Sequence, residues 1–257
     1  MRHLLLLAVL TVAVTAGAPP AVPQALSVPP ILMYHRVDTQ IPSDPVGRDL
    51  TVTPAALAMQ LQTLRSRHLK AISMAELFAR LHRNLPIEDA VVLTFDDGYA
   101  DQMRYALPLL RRYGARATFY IVTGTLGTPE HLTWADLRRM TALGMDLGAH
   151  GIAHDDLSLM TARQQQAQIF GSVRALRRRL HAAVLSYAYP SGRFNTATLQ
   201  LVRQAGIQLA VTTDPRYVIP PANRFELTRV RVHGAWSYAA FAAAITAAQL
   251  AGQTVPR

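Results

Sequence analysis

One stretch near the middle of the chain places acidic side chains at the end of a predicted buried strand. Residues 91–95 are apolar, β-branched or aromatic and include no turn residue. Asp96 and Asp97 follow directly, and Gly98 then allows a sharp turn into a helical pattern over residues 99–113. Because side chains alternate along an extended chain, one carboxylate can bind a metal while the other faces a reacting group. The alternative interpretation is a polar loop whose aspartate caps the helix.

The same alternation of strand and helix recurs about seven times along the 257 residues, which suffice for one large domain. It predicts an α/β fold with a parallel sheet, either open or closed into a barrel, whose sites lie beyond the carboxyl ends of the strands. Strands are predicted at residues 31–34, 91–95, 118–122, 145–147, 185–189, 207–213 and 227–232. Helix N-caps are predicted at Thr53, Ser73, Thr133, Thr161, Asn195 and Ser237, with capping boxes from Ser73 to Glu76 and from Thr161 to Gln164.

A second polar cluster follows the predicted strand end at residues 145–147. His150 and His154 lie four residues apart, so both imidazoles can converge on one ion. Neutral imidazole is a common ligand for zinc and similar divalent metals. Together with one aspartate of the Asp96–Asp97 pair, two histidines leave coordination positions open for water and substrate, as in catalytic metal sites. A lone histidine is more often structural, so the prediction depends on the combination of the two pairs.

These two stretches resemble the first two motifs of the polysaccharide deacetylase family, also called the NodB-homology or carbohydrate esterase 4 group. Residues 94–98 match the first motif, and residues 150–154 match the second, with Gly151 in place of the usual hydroxyl residue. The similarity spans roughly residues 30–251. It implies an irregular (β/α) barrel of about seven parallel strands. It also implies roles for four residues, namely Asp96 as catalytic base and Asp97, His150 and His154 as ligands of a divalent metal, with Zn²⁺ as the default.

The third motif of the family departs from its usual form in residues 187–192. Ala188 stands where an arginine normally orients the catalytic aspartate, and Ser191 stands where a tyrosine is usual. The loop resembles the branch of the family that acts on poly-N-acetylglucosamine. We expect the Ser191 N–H to serve as oxyanion donor, because a backbone donor does not depend on the side chain. Tyr189 and Pro190 are expected to contact substrate. Taken alone, the sequence of this loop predicts only a tight turn.

Two histidines near other predicted strand ends are further candidates. His35 follows the first strand of the predicted sheet and either lines the cleft, as a substrate contact, or caps the strand end. His233 belongs to residues 231–233, which stand where the family has a Leu-x-His motif, with Arg231 at the leucine position. We expect His233 to act as general acid, and the alternative is a surface histidine before a glycine turn. The usual tryptophan motif is not visible between residues 212 and 227.

The N-terminal residues have the pattern of an export signal. A short basic start, an apolar run over residues 4–14 and small residues at 16–18 predict a signal peptide over residues 1–18, followed by a Pro- and Ala-rich tether over 19–29. The deacetylase domain is then predicted over 30–257. The alternative is an uncleaved membrane anchor. Either interpretation places the protein outside the cytoplasm, as a periplasmic, envelope-associated or secreted protein. The absence of cysteine excludes disulfides and thiolate chemistry.

The formal net charge of +10 favours acidic partners. Export argues against nucleic acid as the partner, which leaves peripheral association with an anionic envelope surface as the alternative. The protein is expected to be a monomer. The predicted substrate is an N-acetylated glycan, from which a metal-dependent hydrolase would remove N-acetyl groups. Three other functions stay open, namely an O-deacetylase, a small-molecule amidase on the same metal scaffold, and a catalytically decayed glycan-binding module.

Overall fold

The computed structural model of the protein describes residues 26–213 and 224–255. Its strands are β1 (Leu26–Val28), β2 (Ile31–Tyr34), β3 (Arg36–Val37), β4 (Thr51–Val52), β5 (Lys70–Ile72), β6 (Ala90–Phe95), β7 (Thr118–Ile121), β8 (Asp146–Ala149), β9 (Ser186–Ala188), β10 (Leu209–Val211), β11 (Val230–Arg231) and β12 (Gln253–Val255). Its α-helices are α1 (Pro45–Leu50), α2 (Pro54–Ser66), α3 (Met74–His82), α4 (Leu107–Arg112), α5 (Trp134–Ala142), α6 (Ala162–Leu180), α7 (Thr196–Gln204) and α8 (Tyr238–Ala251).

The main sheet is a curled path of seven parallel strands. Their order is β10-β9-β8-β7-β6-β2-β11, and β5 pairs in parallel with β6 beside this path. At one end Leu227 bridges Val211 of β10, and the chain then continues into β11, which pairs with β2 at the other end. One segment therefore joins both ends of the path. The predicted irregular (β/α) barrel of about seven parallel strands is confirmed.

Two apolar clusters hold the barrel together, because side chains alternate along each strand. In β6, Val91, Leu93 and Phe95 pack with the surrounding helices, whereas Val92 belongs to a smaller cluster that includes α3. All residues of β6 are buried, as expected for a strand covered on both faces. Full burial of one such side chain contributes about 1.5–3 kcal/mol to stability. The apolar run in the sequence thus fixes the strand that carries Asp96 at its end.

The helix starts agree with all the predicted N-caps, but one of the two predicted capping boxes does not form. The side chains of Thr53, Thr133, Thr161, Asn195 and Ser237 each accept a hydrogen bond from a backbone N–H in the first turn of their helix. Ser73 caps α3 in the same way, but Glu76 does not complete the predicted capping box. Its carboxylate instead accepts a hydrogen bond from Arg80 at 2.7 Å, one turn further along the helix. A charged partner thus replaces the backbone N–H for this carboxylate.

Two predicted boundaries are corrected by the structure. The helix predicted over residues 99–113 begins with a π-helical turn, Gln102–Ala106, before α4. The predicted tether at 19–29 is too long, because β1 pairs antiparallel with β12 and therefore belongs to the folded domain. Residues 1–25, which include the predicted signal peptide, lie outside the described residues. Among the residues that the structure describes, no helix has both the length and the apolar character needed to cross a bilayer.

Candidate active site

The carboxyl ends of β2, β6, β8, β9 and β11 meet at one rim of the barrel and open into a cleft of about 630 Å³. Parallel strands bring residues that are distant in sequence to this common edge. Six of the residues predicted from the sequence line the cleft, namely His35, Asp96, Asp97, His150, His154 and Ser191.

Asp97, His150 and His154 form a cluster whose ligand atoms lie within 4.8 Å of one another. Asp97 Oδ1 is 3.4 Å from the Nε2 atoms of both histidines. This oxygen is buried and has no hydrogen-bond partner among the described residues. Buried polar atoms are almost always paired, so an unpaired carboxylate oxygen between two imidazole nitrogens fits a bound cation. Burial raises the pKa of Asp97, but contact with His150 outweighs this effect and holds the pKa well below its usual value.

His150 is oriented by a backbone carbonyl on the neighbouring strand. Its Nδ1 lies 2.8 Å from the carbonyl oxygen of Ala188, and since a carbonyl can only accept, Nδ1 carries the proton. Nε2 therefore presents its lone pair towards Asp97, as in metal sites where a second group fixes the imidazole tautomer. The His154 ring packs edge-on against His150, with 4.8 Å between ring centroids. The two imidazoles thus approach the same point from different directions.

The loop that carries the two histidines requires unusual backbone angles. Gly151 has φ +80° and His154 has φ 57°, both in the left-handed region. Glycine adopts this conformation without steric cost, which explains why Gly151 replaces the hydroxyl residue that the family usually has at this position. Gln168 on α6 accepts hydrogen bonds from the N–H groups of Ile152 and Ala153 at 2.7 and 3.0 Å. Asp97 also adopts a left-handed conformation, with φ 72°, and such strain is concentrated at functional sites.

Asp96 lies beside the three-residue cluster and is held by Arg229. The guanidinium donates two hydrogen bonds of 2.7 Å to the carboxylate, and a third of 3.1 Å to Thr94. Both side chains of this ion pair are buried. Burial alone raises the pKa of Asp96, but the charge and hydrogen bonds of Arg229 outweigh burial and lower it below its usual value. The arginine expected to be missing at Ala188 is therefore supplied from the residue preceding β11.

Gln102 and His35 complete the surroundings of Asp96. Gln102 is buried on the π-helical turn, and its Nε2 donates to the carbonyl oxygens of Asp96 at 2.6 Å and His35 at 2.7 Å. His35 Nε2 is 4.0 Å from Asp96 Oδ2. Burial lowers the pKa of His35 against the opposing effect of the Asp96 charge. Sequence reasoning missed both Arg229 and Gln102. For Arg229 the available signal is a charged residue within a predicted strand, because a buried charge needs a partner.

The loop after β9 brings its backbone, but not its tyrosine, to the cleft. Ser191 is exposed with φ 55°, and its N–H donates to no described residue. Tyr189 is fully buried, and its hydroxyl donates to the carbonyl oxygen of Phe225 at 2.9 Å. Pro190 is also buried. The predicted substrate contacts of the Tyr189 and Pro190 side chains are corrected, because neither residue lines the cleft and the Tyr189 hydroxyl points to Phe225 instead.

His233 lies at the edge of the site. Its Nδ1 is 2.7 Å from Asp49 Oδ1 of α1, and its ring packs on Trp236 with 5.2 Å between centroids. Asp49 and Arg231 line the cleft, whereas His233 is not among the lining residues. An aspartate on Nδ1 leaves Nε2 as the second nitrogen for other contacts. The predicted role of His233 as general acid stays a prediction.

Fold and site together define a (β/α)-barrel protein with a candidate metal site of one aspartate and two histidines. The description "polysaccharide deacetylase" belongs to the family model that matches residues 84–210. YxkH of Bacillus subtilis (strain 168), named as a polysaccharide deacetylase, is 31% identical over 217 residues, which is 84% of this chain and 75% of that protein. The chain therefore belongs to the polysaccharide deacetylase family, as the first two motifs predicted.

Two further relatives agree with this assignment. The poly-β-1,6-N-acetyl-D-glucosamine N-deacetylase of Staphylococcus aureus (strain MSSA476) is 22% identical over 201 residues, covering 72% of this chain and 69% of that protein. The deacetylase PplD of Streptococcus pyogenes, solved in complex with acetate, superposes with a TM-score of 0.78 and 29% identity. That match covers 86% of this chain and 99% of PplD. Membership of this family supports a hydrolytic deacetylase activity.

Proposed function

We propose that the protein is a metal-dependent hydrolase that removes N-acetyl groups from amino sugars of an extracellular or cell-envelope polysaccharide. The observation that carries this proposal is Asp97 Oδ1, buried without a hydrogen-bond partner and 3.4 Å from Nε2 of both His150 and His154. Similarity to the Staphylococcus aureus N-deacetylase supports an N-acetylated substrate. The apolar run near the N-terminus supports export.

The donor set suits a divalent cation with open coordination positions. We assign Asp97, His150 and His154 as its ligands and Zn²⁺ as the default cation, because imidazole and carboxylate together suit zinc and similar metals. Such a cation would lower the pKa of a water molecule and polarise the acetyl carbonyl. In a neutral His150, the hydrogen bond to Ala188 assigns the proton to Nδ1 and leaves Nε2 as the ligating nitrogen, and the Gln168 bonds hold the loop that carries both histidines.

Asp96 is positioned to take a proton from the attacking water. A general base must be ionised and oriented, and Arg229 provides both conditions through two hydrogen bonds to the carboxylate. The Ser191 N–H faces no described acceptor and would donate to the oxyanion that forms when the carbonyl is attacked. We assign protonation of the leaving amine to His233, whose Nδ1 is held by Asp49. His35 borders Asp96 and would contact the sugar.

The proposal is tested by acetate release from defined acetylated substrates. Poly-β-1,6-N-acetylglucosamine, chitin oligomers and peptidoglycan are compared with an O-acetylated xylan and with a small N-acetylated amide. We expect release from at least one N-acetylated polymer and little from the other two classes. Release from the O-acetylated polymer alone would make the protein an O-deacetylase, and polymer retention without release from any substrate would make it a binding module. Either result would contradict the proposed function.

A further inference from the structure

Arg231 places a positive charge in the cleft, two residues after the arginine that positions the proposed catalytic base. Side chains two residues apart on an extended chain point to the same side and lie roughly 7 Å apart. Arg229 uses this side to reach Asp96 in the interior. Arg231 lies two residues further on and is the last residue of β11. It is half-buried and lines the open cleft. The two arginines thus share a direction but differ in what they can contact.

The side chain of Arg231 differs from the acidic side chains of the cleft in having no partner within the described chain. Asp96 is paired with Arg229, Asp49 contacts His233, and Asp97 lies between two histidines. By contrast, the side chain of Arg231 forms no hydrogen bond or ion pair with residues 26–213 or 224–255, although its backbone pairs with Met33 of β2. Arginine is seldom withdrawn from water without a partner. The site therefore offers a cation that the surrounding protein leaves available.

The chemistry of a guanidinium group defines what this position can bind. Its planar fork of donors matches carboxylate and phosphate oxygens, to which it can donate two parallel hydrogen bonds. The family motif has leucine at this position, and a leucine side chain could contact a sugar only through its apolar surface. The net charge of +10 would also draw polyanions towards the protein. A neutral polymer would gain from neither feature.

We propose that Arg231 binds an anionic group of the substrate, so that the enzyme acts on an amino-sugar polymer with a carboxylate or phosphate on or next to the acetylated sugar. This inference rests on the proposed deacetylase function and specifies its substrate class. Arg231 is then a specificity-determining residue, and the chemistry of deacetylation stays with the residues described above.

The experiment compares three substrates of similar length. They are a neutral chitooligosaccharide, a glycan-strand oligomer that contains N-acetylmuramic acid as the carboxylate probe, and an oligosaccharide that contains N-acetylglucosaminyl phosphate as the phosphate probe. We expect the wild-type kcat/KM to be higher for one anionic probe than for the neutral probe. In Arg231→Leu, kcat/KM for that anionic probe should fall about tenfold, as expected for loss of a hydrogen bond to a charged group. The neutral probe should change less than about twofold.

Two further variants separate a local contact from other effects. Arg231→Lys keeps the charge but not the fork, and should restore part of the preference. Arg138→Leu removes one exposed charge on α5, a helix with no residue in the lining of the cleft, and should leave the preference unchanged. An equal loss on neutral and anionic probes in Arg231→Leu, or a wild-type enzyme without any anionic preference, would overturn the inference.

Binding of the same probes to metal-free protein is measured by calorimetry. Because binding does not depend on acetate release, this measurement tests the role of Arg231 separately from the proposed function. If no probe releases acetate, the proposed function fails, and the binding comparison still decides on Arg231. Tighter binding of an anionic probe by wild-type protein than by Arg231→Leu, decreasing with salt, supports the inference. Equal binding by the two proteins contradicts it. The probe that shows the preference distinguishes a carboxylate from a phosphate.

Discussion

Arg229 donates two hydrogen bonds of 2.7 Å to the carboxylate of Asp96, although 133 positions separate the two residues in the sequence. Both side chains are buried, so the charge of each depends on the other. The fork geometry fixes the plane of the carboxylate and keeps it ionised. This pair thus connects the residue preceding β11 to the proposed base directly after β6.

Replacing Arg229 should destabilise the protein strongly at neutral pH. Arg229→Met leaves a buried carboxylate without its partner, and breaking such a pair costs about 3–5 kcal/mol. In the wild type, the pKa of Asp96 is lower in the folded than in the unfolded protein. Ionised Asp96 therefore stabilises the fold above a pH of about 4, and this stabilisation is lost as the pH falls below that value. In the variant, burial should raise this pKa, so that stability falls as the pH rises from about 4.

Both effects make the difference in unfolding free energy largest near neutral pH. Urea unfolding of chelated wild-type and Arg229→Met protein at pH 7, 5.5 and 4 measures this difference. We expect it to narrow steadily towards pH 4. A difference that is independent of pH would mean that Arg229 stabilises the fold by packing rather than through the ionised Asp96.

Replacing Asp96 should abolish turnover while leaving the metal ligands in place. Asp96→Asn keeps the size of the side chain but removes the base, for which losses of about 10²–10⁴-fold are typical. Metal content is measured in the same preparations by elemental analysis. Undiminished acetate release by Asp96→Asn with its metal retained would remove Asp96 from the role of base.

Gln102 is expected to act as a positioning residue. Its side chain joins the backbone carbonyls of Asp96 and His35, so Gln102→Leu should let both loops shift and lower kcat by about tenfold or more. Metal content should stay unchanged, because Gln102 does not contact the proposed ligands. Gln166→Leu, the same exchange at an exposed site on α6, serves as the control. Equal losses in melting temperature and in kcat for both variants would indicate a general effect on stability.

Ser191 is expected to contribute through its backbone. Ser191→Ala keeps the N–H and should retain acetate release within about twofold of wild type. The left-handed φ of 55° makes Ser191→Gly equally acceptable to the backbone. A loss of about 10²-fold in Ser191→Ala, with Ser191→Gly similarly impaired, would instead assign a role to the hydroxyl.

The sequence predicts those parts of the fold and site that depend on local patterns. The apolar run before Asp96 predicts β6, and the spacing of His150 and His154 predicts two imidazoles on one loop. Arg229 could not be assigned in this way, because its pairing with Asp96 depends on the closure of the barrel. The signal that could have found it is the presence of two arginines, Arg229 and Arg231, inside the strand predicted at 227–232, since any charge that is buried there requires a partner.

Arg229 is a site residue that the sequence did not reveal, whereas Tyr189 was predicted as a substrate contact that the structure does not support. A tyrosine next to a turn at a strand end is a reasonable candidate for a sugar contact, and its sequence position is indeed near the cleft. The direction of its side chain depends on the strand register, which turns the ring into the core and its hydroxyl to the Phe225 carbonyl. The position of Tyr189 in the sequence thus predicted that its loop lies at the cleft, but not that its side chain points away from the cleft.

Metal reconstitution is the most direct test of the central claim, that Asp97, His150 and His154 hold a cation required for deacetylation. Chelated protein is titrated with Zn²⁺ or Co²⁺, and bound metal and acetate release are measured on the same samples. We predict that activity rises in proportion to bound metal, up to one ion per chain, and that Asp97→Ala and His154→Ala lose both. Full activity in protein stripped of metal, or unchanged metal binding in both variants, would contradict the account.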